Sequence, residues 1–139
     1  MGIAPEGRSR DEDRDMIDHV GLSVSDFRRS REFYLRALKP LDYEIVMEFS
    51  DGPGVAGFGA GGKPDLWIDG AGKPAPKLHV AIAARNRAAV DGFYAAAIAA
   101  GGTDNGKPGL RPQYNATYYG AFVLDPDGHN IEAVTHAPD

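Results

Sequence analysis

Apolar and polar side chains alternate along residues 17–24, the period-two signature of a strand. Val20, Leu22 and Val24 share one face, and His19, Gly21 and Ser23 share the other. The pattern then turns helical over residues 27–38, with Asp26 placed to cap it and Pro40 to end it. Residues 43–49 predict a second strand. Six glycines and one proline crowd residues 52–62, so a third strand over 55–58 would sit between tight turns, and a fourth follows over 65–69 around Trp67. Residues 70–76 read as a linker.

The same order then restarts. Residues 78–83 predict a strand, and Asn86 caps a helix of about residues 87–100 that Gly101 and Gly102 close. Residues 106–115 read as a loop because Gly106, Pro108, Gly109 and Pro112 punctuate them. A strand over 116–124 leads into Asp125-Pro126-Asp127-Gly128, which fits a type I turn, and residues 129–135 return as the partner strand. Each half therefore reads β-α-β-β-β. The match between halves is direct: residues 19–38 and 79–98 align without a gap at an offset of 60, with His, Val, Phe, Tyr and Ala identical. Self-similarity at a fixed offset indicates a duplicated unit. The expected fold is α+β, two tandem βαβββ units (residues 16–70 and 77–135) forming an open, curved mixed sheet around a cavity, within a single domain over 16–139.

Composition narrows the function. The net charge of −5 argues against nucleic acid, which calls for a basic face. No apolar run approaches the roughly 20 residues needed to span a bilayer. Cysteine is absent, which removes thiolate ligands and cysteine nucleophiles, and a cytoplasmic location fits. Residues 1–15 hold five acids against three arginines with no apolar period, and read as a disordered tail. Met16 stands where the ordered pattern begins and is a candidate start.

Both units open on a histidine, His19 and His79, each on the strand face that carries small neighbours and leaves room for a ligand. Glu132 lies within an apolar strand, where a carboxylate is costly unless it is paired or holds a metal. Two imidazoles and one carboxylate make a facial triad with open positions for water and substrate, which suits iron, zinc, nickel, manganese or cobalt. His19, His79 and Glu132 are thus the candidate ligands of one divalent ion. His129 and His136 read as solvent-exposed, and Asp125 and Asp127 as turn formers. Residues 111–119 are rich in polar and aromatic groups. Arg111, with phenols such as Tyr114 and Tyr118, would suit an oxyanion-bearing or aromatic small molecule. Tyr118 and Tyr119 point to opposite faces, so only one can enter the cavity.

Asp18-His19-Val20, Leu78-His79-Val80 and the closing run from Asp125 to Glu132 resemble the vicinal oxygen chelate superfamily, which includes glyoxalase I, extradiol dioxygenases, fosfomycin-resistance transferases and bleomycin-resistance proteins. The resemblance covers about residues 16 to 135. It implies that His19, His79 and Glu132 are metal ligands and that the chain forms a homodimer. It implies an enzyme of lyase or isomerase, dioxygenase or thiol-transferase type acting on a small oxygen-chelating substrate, or else a metal-free protein that sequesters a ligand. One departure stands out. Glyoxalase I carries a fourth ligand, a proton-moving glutamate, on the last strand of its first unit, and here Trp67 takes the aligned place. Trp67 is either packing or a pocket wall that meets the substrate. Without the second carboxylate an obvious base for the glyoxalase proton transfer is missing.

Overall fold

A computed structural model describes residues 17–139, so the acidic stretch read as a tail and the candidate start at Met16 lie outside the described residues. The first unit contains β1 (Val20–Ser23), α1 (Phe27–Ala37), β2 (Glu44–Phe49), β3 (Val55–Gly59) and β4 (Leu66–Asp69). The second contains β5 (His79–Ala83), α2 (Arg87–Ala99), β6 (Thr103–Leu110), β7 (Tyr119–Leu124) and β8 (Asn130–Thr135). Each forms a four-stranded mixed sheet with the same internal order, β1-β4-β3-β2 and β5-β8-β7-β6, in which the first and last strands of the unit run parallel. This is the tandem βαβββ architecture that the repeat predicts.

Local chemistry accounts for the element ends. The Asp26 carboxylate accepts from the Arg29 N–H at 3.2 Å, and the Asn86 side chain accepts from the Ala89 N–H at 2.9 Å, satisfying donors that a helix start leaves bare. Helix α2 ends where Gly101 turns to φ +104°. There Gly102 N–H donates to the Ala97 carbonyl and Gly101 N–H to that of Ile98, the paired bonds of a glycine C-cap.

One prediction needs correcting. Residues 106–110, read as part of a loop, belong to strand β6. The glycines and proline that suggested turns lie at register shifts between Asp104 and Gly106 and between Gly106 and Gly109. Because β6 is an edge strand, Pro108 can lack an N–H without breaking the sheet, and bulges absorb Gly106 at φ +151°.

The two helices pack on each other, and α2 also packs on the 3-10 turn Lys39–Leu41. Gly92 makes that approach possible, since a Cβ there would stand 3.1 Å from the Pro40 ring. Leu22, Val24, Phe33, Tyr34, Phe58 and Ile68 of the first unit and Val90, Phe93, Val123 and Ile131 of the second are buried in the resulting core. Each sheet therefore turns one face to the helices and leaves the other open, and the histidines stand on the open faces, as strand parity requires.

Candidate functional site

On β5, His79, Ala81 and Ala83 are exposed while Ile82 enters the core. The parallel neighbour β8 sets Glu132 opposite Ala81, and β7 sets Phe122 on its other side. Glu132 is only 1% exposed, yet both its oxygens are engaged. Oε1 lies 2.9 Å from His79 Nε2, and Oε2 accepts from the Tyr118 hydroxyl. Gly120 leaves the space, because a Cβ there would come within 3.3 Å of Glu132 Oε2. Burial and then the bond to Glu132 push the Tyr118 phenol up to about 12, so it stays a donor at neutral pH. The carboxylate that looked costly in an apolar strand is thus compensated inside the chain.

Aromatic and cationic groups frame this pair. Tyr118 meets Tyr114 edge-on at 4.9 Å and His136 at 5.3 Å, and the His79 ring lies 6.1 Å from that of Phe122. The Arg111 guanidinium stacks over Phe122 at 5.4 Å, anchored by a 2.7 Å bond to the Lys107 carbonyl. Tyr119, where β7 begins rather than at residue 116 as expected, points the opposite way and donates to Asp91 on α2. Sequence reasoning missed Phe122 and His136 as members of this face. Both could have been found: Phe122 is the cross-strand neighbour of Glu132, and His136 lies an even number of residues beyond it.

His19 stands apart from the pair. Its Nδ1 lies 2.8 Å from the Asp18 carboxylate, and Lys63 holds the Asp18 carbonyl at 2.6 Å. The His19 bond first, and the Lys63 charge second, hold the Asp18 carboxyl below its usual range. A cleft of about 540 Å³ between β1 and β5 is lined by both His19 and His79, together with Ile17, Tyr43 and Leu78. Among the described residues no group of three or more His, Asp or Glu side chains gathers as a metal cluster.

The register also locates Trp67. It pairs with Gly21 as Glu132 pairs with Ala81, and Gly21 and Ala81 are repeat equivalents. Trp67 therefore occupies the place in the first sheet that Glu132 occupies in the second. Its ring lies flat on Gly57, where a Cβ would stand 2.9 Å from ring atom Cη2. Met47 extends the same row and is 45% exposed, and Phe49, one row along, is 56% exposed. Along the row of Gly21, Trp67, Gly57 and Met47 the first sheet is apolar, whereas the matching row of the second sheet carries Glu132.

Two donors, His79 Nε2 and Glu132 Oε1, fit a divalent ion. Atoms about 2.1 Å from a shared ion and at roughly a right angle lie about 3.0 Å apart, close to the spacing here. His79 is half exposed, so the pair can be reached from solvent.

His129 corrects another expectation. Read as solvent-exposed because it follows a turn, it is 1% exposed. Its Nδ1 accepts from the Leu78 N–H at 3.0 Å and its Nε2 donates to the Ser23 carbonyl at 2.9 Å. His136 is exposed as expected. Asp125 and Asp127 shape the turn, but they also cross between units: Asp125 accepts from the Tyr34 hydroxyl at 2.5 Å, and Asp127 from the Ser25 N–H and hydroxyl.

Residues 16–133 match the Glyoxalase/Bleomycin resistance protein/Dioxygenase superfamily, and the chain belongs to it. Solved structures agree. A glyoxalase/bleomycin resistance protein from Albidiferax ferrireducens is 28% identical, with a TM-score of 0.72 over 87% of this chain and 98% of its own. A glyoxalase I variant from Zea mays is 23% identical, with a TM-score of 0.62 over 85% of this chain and 46% of its own. TioX from a Micromonospora species is 17% identical, with a TM-score of 0.66 over 88% of this chain and the whole of its own. The last two, at such identities, share the fold alone. No curated protein sequence matches the chain.

Proposed function

We propose that this protein is a divalent-metal-dependent enzyme of the superfamily, acting on a small oxygen-chelating substrate in a lyase, isomerase or dioxygenase type of reaction. The observation that carries this reading is the His79–Glu132 pair, two ligand-type atoms 2.9 Å apart on an open sheet face. A divalent ion held there would act as a Lewis acid toward paired substrate oxygens. His79 and Glu132 hold it, and Tyr118 fixes the second oxygen of Glu132, as partners beyond the ligands commonly do. Arg111, its guanidinium plane braced by Phe122, orients an anionic or oxyanion-bearing end of the substrate. Tyr114 walls the same face, and Trp67 offers an apolar wall at the equivalent place in the other unit.

His19 is the third ligand in this reading, and it joins the pair on formation of a homodimer. The exposed Met47 and Phe49 on the His19-bearing face support that assembly, since large apolar side chains in one patch mark a covered surface.

A second reading has its own support. Glu132 is fully satisfied by His79 and Tyr118, as a metal-free protein that sequesters a ligand would require. Metal content of tag-free protein, measured by mass spectrometry beside His79→Ala and His19→Ala, separates the two. Near-stoichiometric metal lost in both variants is expected. No metal in the wild type, and none taken up from added divalent ions, would replace the enzyme with the binder.

A further inference from the structure

His79 is the first residue of β5, and β5 is the edge of its sheet. A strand end at an edge has a hydrogen-bonding partner on one side only and frays unless something ties it. Two consecutive residues of the second unit do so. The Asn130 N–H donates to the Leu78 carbonyl at 2.8 Å, and the His129 ring accepts from the Leu78 N–H at 3.0 Å. Leu78 is therefore clamped at both backbone groups immediately before the histidine that meets Glu132. The other edge of the same ring donates to the carbonyl of Ser23, the last residue of β1. One buried imidazole thus links the end of β1 to the residue that leads into β5. Its backbone partners dictate a single neutral form, with the proton on Nε2 and a lone pair on Nδ1. The Asp125 carboxylate holds the His129 N–H at 2.9 Å and places the ring.

We propose that His129 is a positioning residue for His79. Its Nδ1, through the Leu78 N–H, sets the His79 ring against Glu132, while its Nε2 ties the end of β1 to the start of β5. The effect on metal binding rests on the functional reading above; the effect on the His79–Glu132 contact does not.

The two arms can be separated. His129→Asn keeps an acceptor near the place of Nδ1, whereas His129→Gln keeps a donor near the place of Nε2. Two measurements apply to each variant and to the wild type: binding of Co(II) alone, followed by absorbance, and long-range nitrogen–proton NMR correlations of the imidazoles. The wild type is expected to show His129 protonated on Nε2 only. His129→Asn should retain the His79 ring signals and bind Co(II) within about threefold of wild type. His129→Gln should shift those signals and weaken Co(II) about tenfold or more, in the range that second-layer partners of metal ligands command. Melting temperatures of the two variants provide the control, because a merely structural role makes both readouts follow stability. Identical His79 signals in the two variants, losses that track melting temperature alone, or a wild-type His129 protonated on Nδ1 would overturn the proposal. Absence of Co(II) binding by the wild type would sink the metal reading instead, and the His79 signals would still decide the positioning role.

Discussion

Tyr34→Phe removes one oxygen from the core and tests the clasp between the two units. Tyr34 is fully buried on α1, and its hydroxyl donates to Asp125 Oδ2 at 2.5 Å across the unit boundary. The other carboxylate oxygen is already occupied by the Asp127 and His129 N–H groups, each at 2.9 Å. With Asp125 only 4% exposed, water cannot take the place of the phenol. A hydrogen bond to a charged group contributes about 1.5–3 kcal/mol net, and a buried acceptor left bare costs toward the upper end, so a loss of roughly 2–3 kcal/mol is expected. For a domain of this size about 4 °C accompanies each kcal/mol, which puts the fall in melting temperature at roughly 10 °C. Urea denaturation should show the midpoint moving with an unchanged slope. A double-mutant cycle with Asp125→Asn isolates the pair term.

The repeat supplies a control. Tyr94 is the equivalent residue on α2 but is only partly buried, with its hydroxyl toward the exposed Asp104, so Tyr94→Phe should change stability less. The pH dependence follows from the same contact. Burial first, then the Asp125 charge, raises the Tyr34 phenol well above its ordinary value of 10. Above that pH the unfolded chain has lost the proton that the native state keeps, so stability falls as pH rises. The stabilisation is complete below about pH 10, and the alkaline loss should be shallower in Tyr34→Phe. A loss under about 0.5 kcal/mol, or a coupling near zero, would refute the buried contact.

Other substitutions probe the open faces. Gly57→Ala should lift the Trp67 ring off the sheet at a cost of about 1–3 kcal/mol, and because the chain has one tryptophan its emission spectrum reports the move directly; an unchanged spectrum would contradict the stacking. Ultraviolet titration of the tyrosines should show a step near pH 12 that disappears in Tyr118→Phe, and its persistence in that variant would show that the step belongs to another phenol. The same variant leaves Glu132 Oε2 without its donor and should weaken metal binding about 10-fold or more, as read by Co(II) titration; an unchanged affinity would mean that Tyr118 does not support the ligand.

Much of the fold was legible because its signals are local. Alternation in residues 17–24 and 78–83 and the caps Asp26 and Asn86 are each read within one segment, and the repeat needs only a gapless comparison of two. The β6 strand was not, since Gly106 and Pro108 look like turn residues until the neighbouring β7 shows them to be bulges on an edge. Strand parity placed Tyr118 and Tyr119 on opposite faces and marked the faces carrying His19 and His79. His129 was misread because its partners, Ser23 and Leu78, lie 106 and 51 residues away, and nothing next to a turn announces such distant bonds. The separation of His19 from the His79–Glu132 pair is equally long-range. It depends on how α1 and α2 pack, which no strand pattern encodes.

The proposed site requires that His79 and Glu132 bind a divalent ion. Anomalous diffraction from crystals grown with Co(II), collected at the cobalt absorption edge, locates an ion without reference to activity. One strong peak is expected about 2.1 Å from both His79 Nε2 and Glu132 Oε1, absent from crystals of Glu132→Gln. A His19 imidazole, contributed through the dimer, is expected at the third position. No peak at that pair, or a peak that survives the loss of the Glu132 carboxylate, would contradict the proposed site.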